Sequence, residues 1–106
     1  MAIGVDIVFI PRLIDKDDVA RRILSAREYA EYEKRTHKAE FLAGRFAAKE
    51  AFLKASNNLI GKQALKTIEI TVEPGGKPVL TFQGKTYDVS IAHDGDYAIA
   101  ICQINE

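Results

Sequence analysis

The chain contains a single cysteine, Cys102, and no tryptophan. One thiol cannot close an intrachain disulfide, and this usage fits a reducing compartment, so a cytoplasmic location is expected. Net charge is missing too, since 15 Lys and Arg balance 15 Asp and Glu. A general nucleic-acid binder needs a basic excess and aromatics on which bases can stack, so nucleic acid is not the expected partner. No apolar run approaches the roughly 20 residues of a membrane-spanning helix, which argues against a membrane partner. No basic stretch leads into an apolar N-terminal segment, so no secretory signal is expected. Repeats and low-complexity tracts are absent. Several familiar chemistries are absent as well. The segment 58–63 ends Gly61-Lys62-Gln63 without the leading glycine or the Ser/Thr of a phosphate-binding loop. His37, His93 and Cys102 lack zinc spacing, and no Gly-x-Ser-x-Gly elbow supplies a nucleophile.

What is there is a chain of 106 residues with 47% hydrophobic and 28% charged side chains, the composition of one globular domain over 1–106. Such a chain buries about two thirds of its unfolded surface, which leaves little from which to carve a deep cleft. A site in it is expected to be shallow or to borrow walls from a neighbouring chain. The zero total hides an asymmetry. Residues 1–62 hold 12 basic and 9 acidic side chains, and residues 63–106 hold 3 and 6. A phosphorylated or acidic partner would seek the first half.

The pattern along the chain is α+β. Ile3–Ile10 is apolar and β-branched, broken by Asp6, and reads as a buried strand. Arg12–Leu24 is a helix candidate interrupted by Asp15-Lys16-Asp17-Asp18. Ser25 and Glu28 have capping-box spacing before a helix running to about Lys34. Lys38–Asn57 is the longest helical stretch, with Asn57, Asn58 and Gly61 as its stop. The period then changes to two. Ile68, Ile70 and Val72 alternate with polar residues, and Val79–Phe82, Tyr87–Ala92 and Tyr97–Ile104 follow as strands joined by Gly-containing turns. An antiparallel sheet packed against one long helix is the expected architecture.

On a helical wheel, Phe41, Ala48, Phe52, Ala55 and Leu59 form a core stripe, and Ala43, Phe46, Ala47, Glu50, Leu53, Lys54 and Asn57 form a second face. Arg45 and Lys49 fall on a polar edge between them. Glu50 and Lys54 thus sit among apolar neighbours. The simplest reading is an i,i+4 ion pair; the sharper one is a carboxylate needing a partner because its charge is poorly solvated. Asp6, inside a strand, is either an edge residue paired locally or a second hard oxygen ligand converging with Glu50, the donor type that suits Mg²⁺. His93 closes a strand before the Asp94-Gly95-Asp96 turn, where an aspartate is first of all a turn residue.

Three blocks together resemble one family. Gly4-Val5-Asp6-Ile7-Val8, the stretch Phe41-Leu42-Ala43-Gly44-Arg45-Phe46-Ala47-Ala48-Lys49-Glu50-Ala51-Phe52-Leu53-Lys54-Ala55, and Ser90-Ile91-Ala92-His93 are similar, in order and spacing, to the holo-[acyl-carrier-protein] synthases, the small trimeric 4′-phosphopantetheinyl transferases. The resemblance implies the 4′-phosphopantetheinyl transferase-like fold assembled as a homotrimer with sites between subunits. It implies transfer of 4′-phosphopantetheine from coenzyme A to a serine of an apo acyl carrier protein, with release of 3′,5′-ADP. It implies Mg²⁺ held by Asp6 and Glu50, with Glu50 also a candidate base. Lys54 would contact the phosphate next to the leaving group. Arg45 and His93 would face coenzyme A phosphates, and Gly76, Lys77 and Pro78 would line the nucleotide side. Arg12, Arg21 and Arg22 would dock the acidic carrier. The sequence departs from the family pattern in three places: Phe9 stands where the family usually has Glu, Ala92 where it has Ser or Thr, and the stretch between Arg12 and Arg22 is shorter by about a turn of helix. Two other readings stand beside this one. One is a binding domain that keeps the fold and has lost the chemistry, and the other is a nucleotide-binding or nucleic-acid module using the basic half.

Overall fold

The structure, a computed structural model, describes residues 1–57 and 64–105. Strand β1 (Ala2–Phe9) opens the chain, and Pro11 sits in a 3-10 turn over Ile10–Leu13. Three helices follow, α1 (Asp17–Ile23), α2 (Ala26–Lys34) and α3 (Lys38–Ala55). A second 3-10 turn, Leu65–Thr67, leads into β2 (Glu69–Val72), β3 (Pro78–Phe82), β4 (Lys85–Asp94) and β5 (Tyr97–Ile104). The strands form one antiparallel sheet in the order β1-β5-β4-β3-β2, so the first strand of the chain closes the far edge beside the last.

Local chemistry explains the boundaries. Asp15, in the left-handed region at φ 58°, separates the first 3-10 turn from α1, where the acidic run interrupts the helical pattern. Ser25 and Glu28 cap α2 reciprocally: the Ser25 hydroxyl accepts from the Glu28 N–H, and the Glu28 carboxylate accepts from the Ser25 N–H. Asn57 turns left-handed at φ 55° just after α3 ends. The rest of the expected stop, Asn58 and Gly61, lies outside the described residues, as does Leu59 of the expected core stripe.

The inner face of the sheet packs on α3. Phe52 lies 5.5 Å from the ring of Phe82 and 4.9 Å from that of Tyr87, and Ile68, Leu80, Ala98, Ala100 and Cys102 fill in around it. β1 approaches α3 with no side chain between them at Gly4. A Cβ built there would lie 2.0 Å from the Ala51 carbonyl oxygen and 2.6 Å from the Ala55 nitrogen. This approach needs glycine.

Two expectations change. β1 is not buried on both faces: Ile3, Val5 and Ile7 are 61%, 48% and 61% exposed, because only Gly4, Asp6 and Val8 face α3. Its apolar residues occupy both faces of an edge strand, a pattern that reads in sequence like a central strand. Lys49 is not on a polar edge; it is fully buried, as are Ala43 and Ala47 on the second face of the helix. The second face is covered only in part: Phe46, Glu50 and Leu53 are half-buried and Lys54 is exposed. Most of the large exposed apolar side chains are on the sheet.

Candidate active site

Alternation along β1 turns Asp6 toward α3 at the edge of the sheet, two residues beyond the Gly4 contact. There the Lys54 ammonium donates to Asp6 Oδ1 at 2.9 Å and to the Val5 carbonyl oxygen at 3.0 Å. Glu50, one helical turn before Lys54, shares this environment. Its carboxyl is pushed above the ordinary glutamate range, first by burial and then by the charge of Asp6, with Lys54 opposing the shift. Lys54 therefore spans to Asp6 rather than closing a simple i,i+4 pair with Glu50. The result is two carboxylates and one ammonium at the β1–α3 junction. Asp6 is mostly shielded and Lys54 is half exposed.

The donor set fits a hard divalent cation. Two carboxylates whose repulsion raises the pKa of one gain from a cation between them. Mg²⁺ commonly takes one or two carboxylates and completes its shell with water and substrate phosphates. Among the described residues no group of three or more His, Cys, Asp or Glu forms a closed metal cage.

The other residues singled out by sequence lie elsewhere in the chain. His93, at the end of β4, places Nδ1 3.4 Å from Glu40 Oε1 in the first turn of α3. Arg45 lies about 140° around the helix from Glu50. Its guanidinium stacks on Phe41 at 4.3 Å, with Arg35 over the same ring at 4.6 Å. Arg45 lines a cleft of 410 Å³ with Arg27, Glu28, Glu31, Arg35 and residues of β2. Among the described residues its buried Nε has no partner, and burial lowers its pKa. Lys77 and the adjoining turn residues belong to the far side of the sheet, where Lys77 approaches Asp88 at 3.7 Å beside a separate 750 Å³ depression. Gly76 is left-handed at φ 94° with open space around it. Arg12, Arg21 and Arg22 are exposed on the first 3-10 turn and α1, and Arg21 lies over Tyr29 at 5.4 Å. One chain thus brings together Asp6, Glu50 and Lys54. It does not bring Arg45, His93 or the Gly76–Pro78 turn to them.

Both single-residue departures lie on the sheet face turned away from α3. Phe9 packs on Tyr97 with ring centroids 5.3 Å apart, and Ala92 is paired with Ile99. Neither is on the face that carries Asp6.

Sequence reasoning missed one cluster. Glu28, read only as a cap, also joins Lys49, whose ammonium donates to it, to the Ile23 carbonyl at 2.6 Å and to the Leu65 carbonyl at 3.0 Å. The second Glu28 oxygen accepts the Ile70 N–H at 2.7 Å. The signal available was the spacing of Lys49 from the second apolar face, which puts it nearer that face than a solvated lysine should be.

Comparison with known proteins shows the family to which the chain belongs. Residues 2–102 match the family model described as the 4'-phosphopantetheinyl transferase superfamily. A holo-[acyl-carrier-protein] synthase of Geobacillus kaustophilus (strain HTA426) is 41% identical over 109 residues, covering 94% of this chain and 84% of its own. The crystal structure of a holo-(acyl-carrier-protein) synthase from Bacillus anthracis in complex with CoA (3',5'-ADP) is 33% identical with a TM-score of 0.81, covering 95% and 92% of the two chains. The Helicobacter pylori holo-[acyl-carrier-protein] synthase in complex with coenzyme A is 28% identical with a TM-score of 0.81, covering 97% and 99%. The chain belongs to the 4'-phosphopantetheinyl transferase superfamily and shares its α+β fold. Within it, the chain falls among the holo-[acyl-carrier-protein] synthases and is an enzyme of that class.

Proposed function

We propose that this enzyme transfers 4′-phosphopantetheine from coenzyme A to a serine of an apo acyl carrier protein, with Mg²⁺, and releases 3′,5′-ADP. The observation that carries the reading is the convergence of Asp6, Glu50 and Lys54 in a chain of this family. The nucleophile belongs to the carrier, so the chain needs none of its own. Asp6 and Glu50 would hold the cation, which when bound supplies positive charge against the diphosphate. Lys54 has half its surface in water, and its exposed ion pair with Asp6 is weak enough to exchange for a phosphate oxygen. There it would stabilise charge developing on the leaving group. Glu50, directly or through a water, is the candidate base for the proton of the incoming serine hydroxyl.

Assembly completes the site in this reading. The outer sheet face exposes Ile3, Val5, Ile7, Ile99 and Ile101 side by side, with Tyr97 half exposed. A contiguous apolar patch of this kind supports self-association. A homotrimer, as the resemblance implies, would let a neighbour's His93 and Gly76–Pro78 turn meet the Asp6–Glu50–Lys54 group. The exposed Arg12, Arg21 and Arg22 suit pairing with carboxylates of an acidic carrier. The location proposed is the cytoplasm.

The test is intact-mass analysis of several apo carriers incubated with enzyme, coenzyme A and Mg²⁺. One carrier should gain the phosphopantetheine mass, and Glu50→Gln should abolish the gain. Binding of coenzyme A with no mass gain on any carrier would favour the non-catalytic reading.

A further inference from the structure

Glu28 and Lys49 are the buried charged residues among those described, at 3% and 0% exposure, and the Asp6–Glu50–Lys54 chemistry uses neither. Their bonding is complete. The three ammonium protons of Lys49 go to Glu28, the Ile23 carbonyl and the Leu65 carbonyl. The Glu28 carboxylate takes Lys49, the Ser25 N–H and the Ile70 N–H. One buried point therefore joins the end of α1, the start of α2, the middle of α3, the turn before β2, and β2 itself. Replacing a buried ion pair with apolar side chains is often neutral or stabilising, so stability alone is a weak reason for it. What the pair supplies is direction, because each bond admits only one relative placement of the elements it joins.

The elements joined are those the transfer must bring into register. Ile23, whose carbonyl Lys49 holds, directly follows Arg21 and Arg22 on α1. Lys49 directly precedes Glu50 on α3. We infer that the Glu28–Lys49 pair is a positioning device that sets the arginines of α1 at a fixed place relative to Glu50 and Lys54. The carrier's serine would then arrive where the diphosphate is held. The inference rests on the reading of Arg12, Arg21 and Arg22 as the carrier's docking surface. Out of register, one carrier cannot engage the arginines and present its serine together, so productive carrier binding weakens while saturating carrier restores the rate.

The test uses two variants, Glu28→Gln and the paired Glu28→Gln/Lys49→Met. In the second, the glutamine oxygen can still accept the Ile70 N–H while its amide donates to a freed carbonyl. Loading kinetics are measured with carrier and coenzyme A varied separately, alongside circular dichroism and thermal midpoints. In a variant with wild-type circular dichroism, KM for the carrier should rise about tenfold, while KM for coenzyme A and kcat at saturating carrier stay within about threefold. A merely structural pair would instead lower the midpoint and the active fraction and leave the carrier KM unchanged. That result overturns the inference, as does failure of both variants to fold, which would make the pair ordinary core. Arg21→Ala/Arg22→Ala tests the underlying reading separately. If it leaves the carrier KM unchanged, the docking surface is wrong. If it raises that KM while the folded pair variants do not, the positioning role alone is wrong.

Discussion

Substituting Gly4 by alanine strikes the contact on which the site is built. The added methyl would lie 2.0 Å from the Ala51 carbonyl oxygen, against the ~3.3 Å that a carbon and an oxygen tolerate. Relief takes a separation of β1 from α3 of roughly 1.3 Å, and both obstructing groups, Ala51 and Ala55, offer backbone atoms that no rotamer change can move. Overpacking of this kind costs about 1–3 kcal/mol. A clash between backbone atoms of two packed elements belongs at the upper end, only partly offset by the ~0.4–1 kcal/mol that alanine gains by restricting the unfolded chain. At about 4–8 °C per kcal/mol for a domain near this size, the thermal midpoint should fall by roughly 8–20 °C. Activity should fall further than the folded fraction does, because Asp6 moves with the strand while Glu50 and Lys54 stay on the helix. A shift of ~1 Å is worth up to 10²-fold in rate. The assay is carrier loading by intact mass, measured at a temperature where circular dichroism shows the variant folded. Gly44→Ala is the control. Its Cβ meets only the Ile91 Cγ2 methyl at 3.1 Å, a side chain that can yield, and alanine favours the helix. A Gly4→Ala protein with a midpoint within 2 °C of wild type and activity within about threefold would refute the reasoning.

Glu50→Gln should raise the thermal midpoint at pH 7 while abolishing loading. The folded protein holds the Glu50 pKa above its unfolded value, so wild-type stability falls as pH rises through that interval. The advantage of glutamine should vanish below the ordinary glutamate pKa, and a variant less stable than wild type at pH 7 would contradict this. Lys54→Met removes the cation that now holds Asp6. Mn²⁺ binding without coenzyme A, followed by electron paramagnetic resonance, should tighten by up to about fivefold, the scale of an exposed pair, whereas weaker binding would count against it. Ile101→Lys on the outer sheet face should shift the sedimentation profile toward single chains and reduce activity with it, and an unchanged profile would remove that face from the interface. Cys102, fully buried with its thiol pushed up to about 11 by burial and Asp88, should resist alkylation until the protein is denatured.

The legible parts of the sequence were those whose cause is local. The apolar run after the Asp94-Gly95-Asp96 turn marked β5 to the residue, and the Ser25–Glu28 spacing announced a cap that both hydrogen bonds complete. β1 misled because apolar residues on both faces carry no sign of which face stays in the chain. Lys49 misled because a helical wheel locates a side chain on its own helix and says nothing of what packs against it. The Ile23 and Leu65 carbonyls that receive it come from other elements. Glu50 and Lys54 stood out as a pair, but the partner of Lys54 is 48 positions away on β1, a pairing only the tertiary fold makes. Arg45 and Lys77 matched family positions, yet a single chain sets them on different surfaces.

β1 serves two purposes with its two faces. Gly4 and Asp6 on the inner face build the cluster with α3, and Ile3, Val5 and Ile7 on the outer face ask for a neighbour. A strand at the edge of a sheet leaves one flank unpaired. Occupying its outer face would steady the carboxylate on its inner face. Specific activity should then depend on protein concentration: diluted chains would lose turnover before they lose their helices, and mixing in an inactive copy with an intact outer face would restore it.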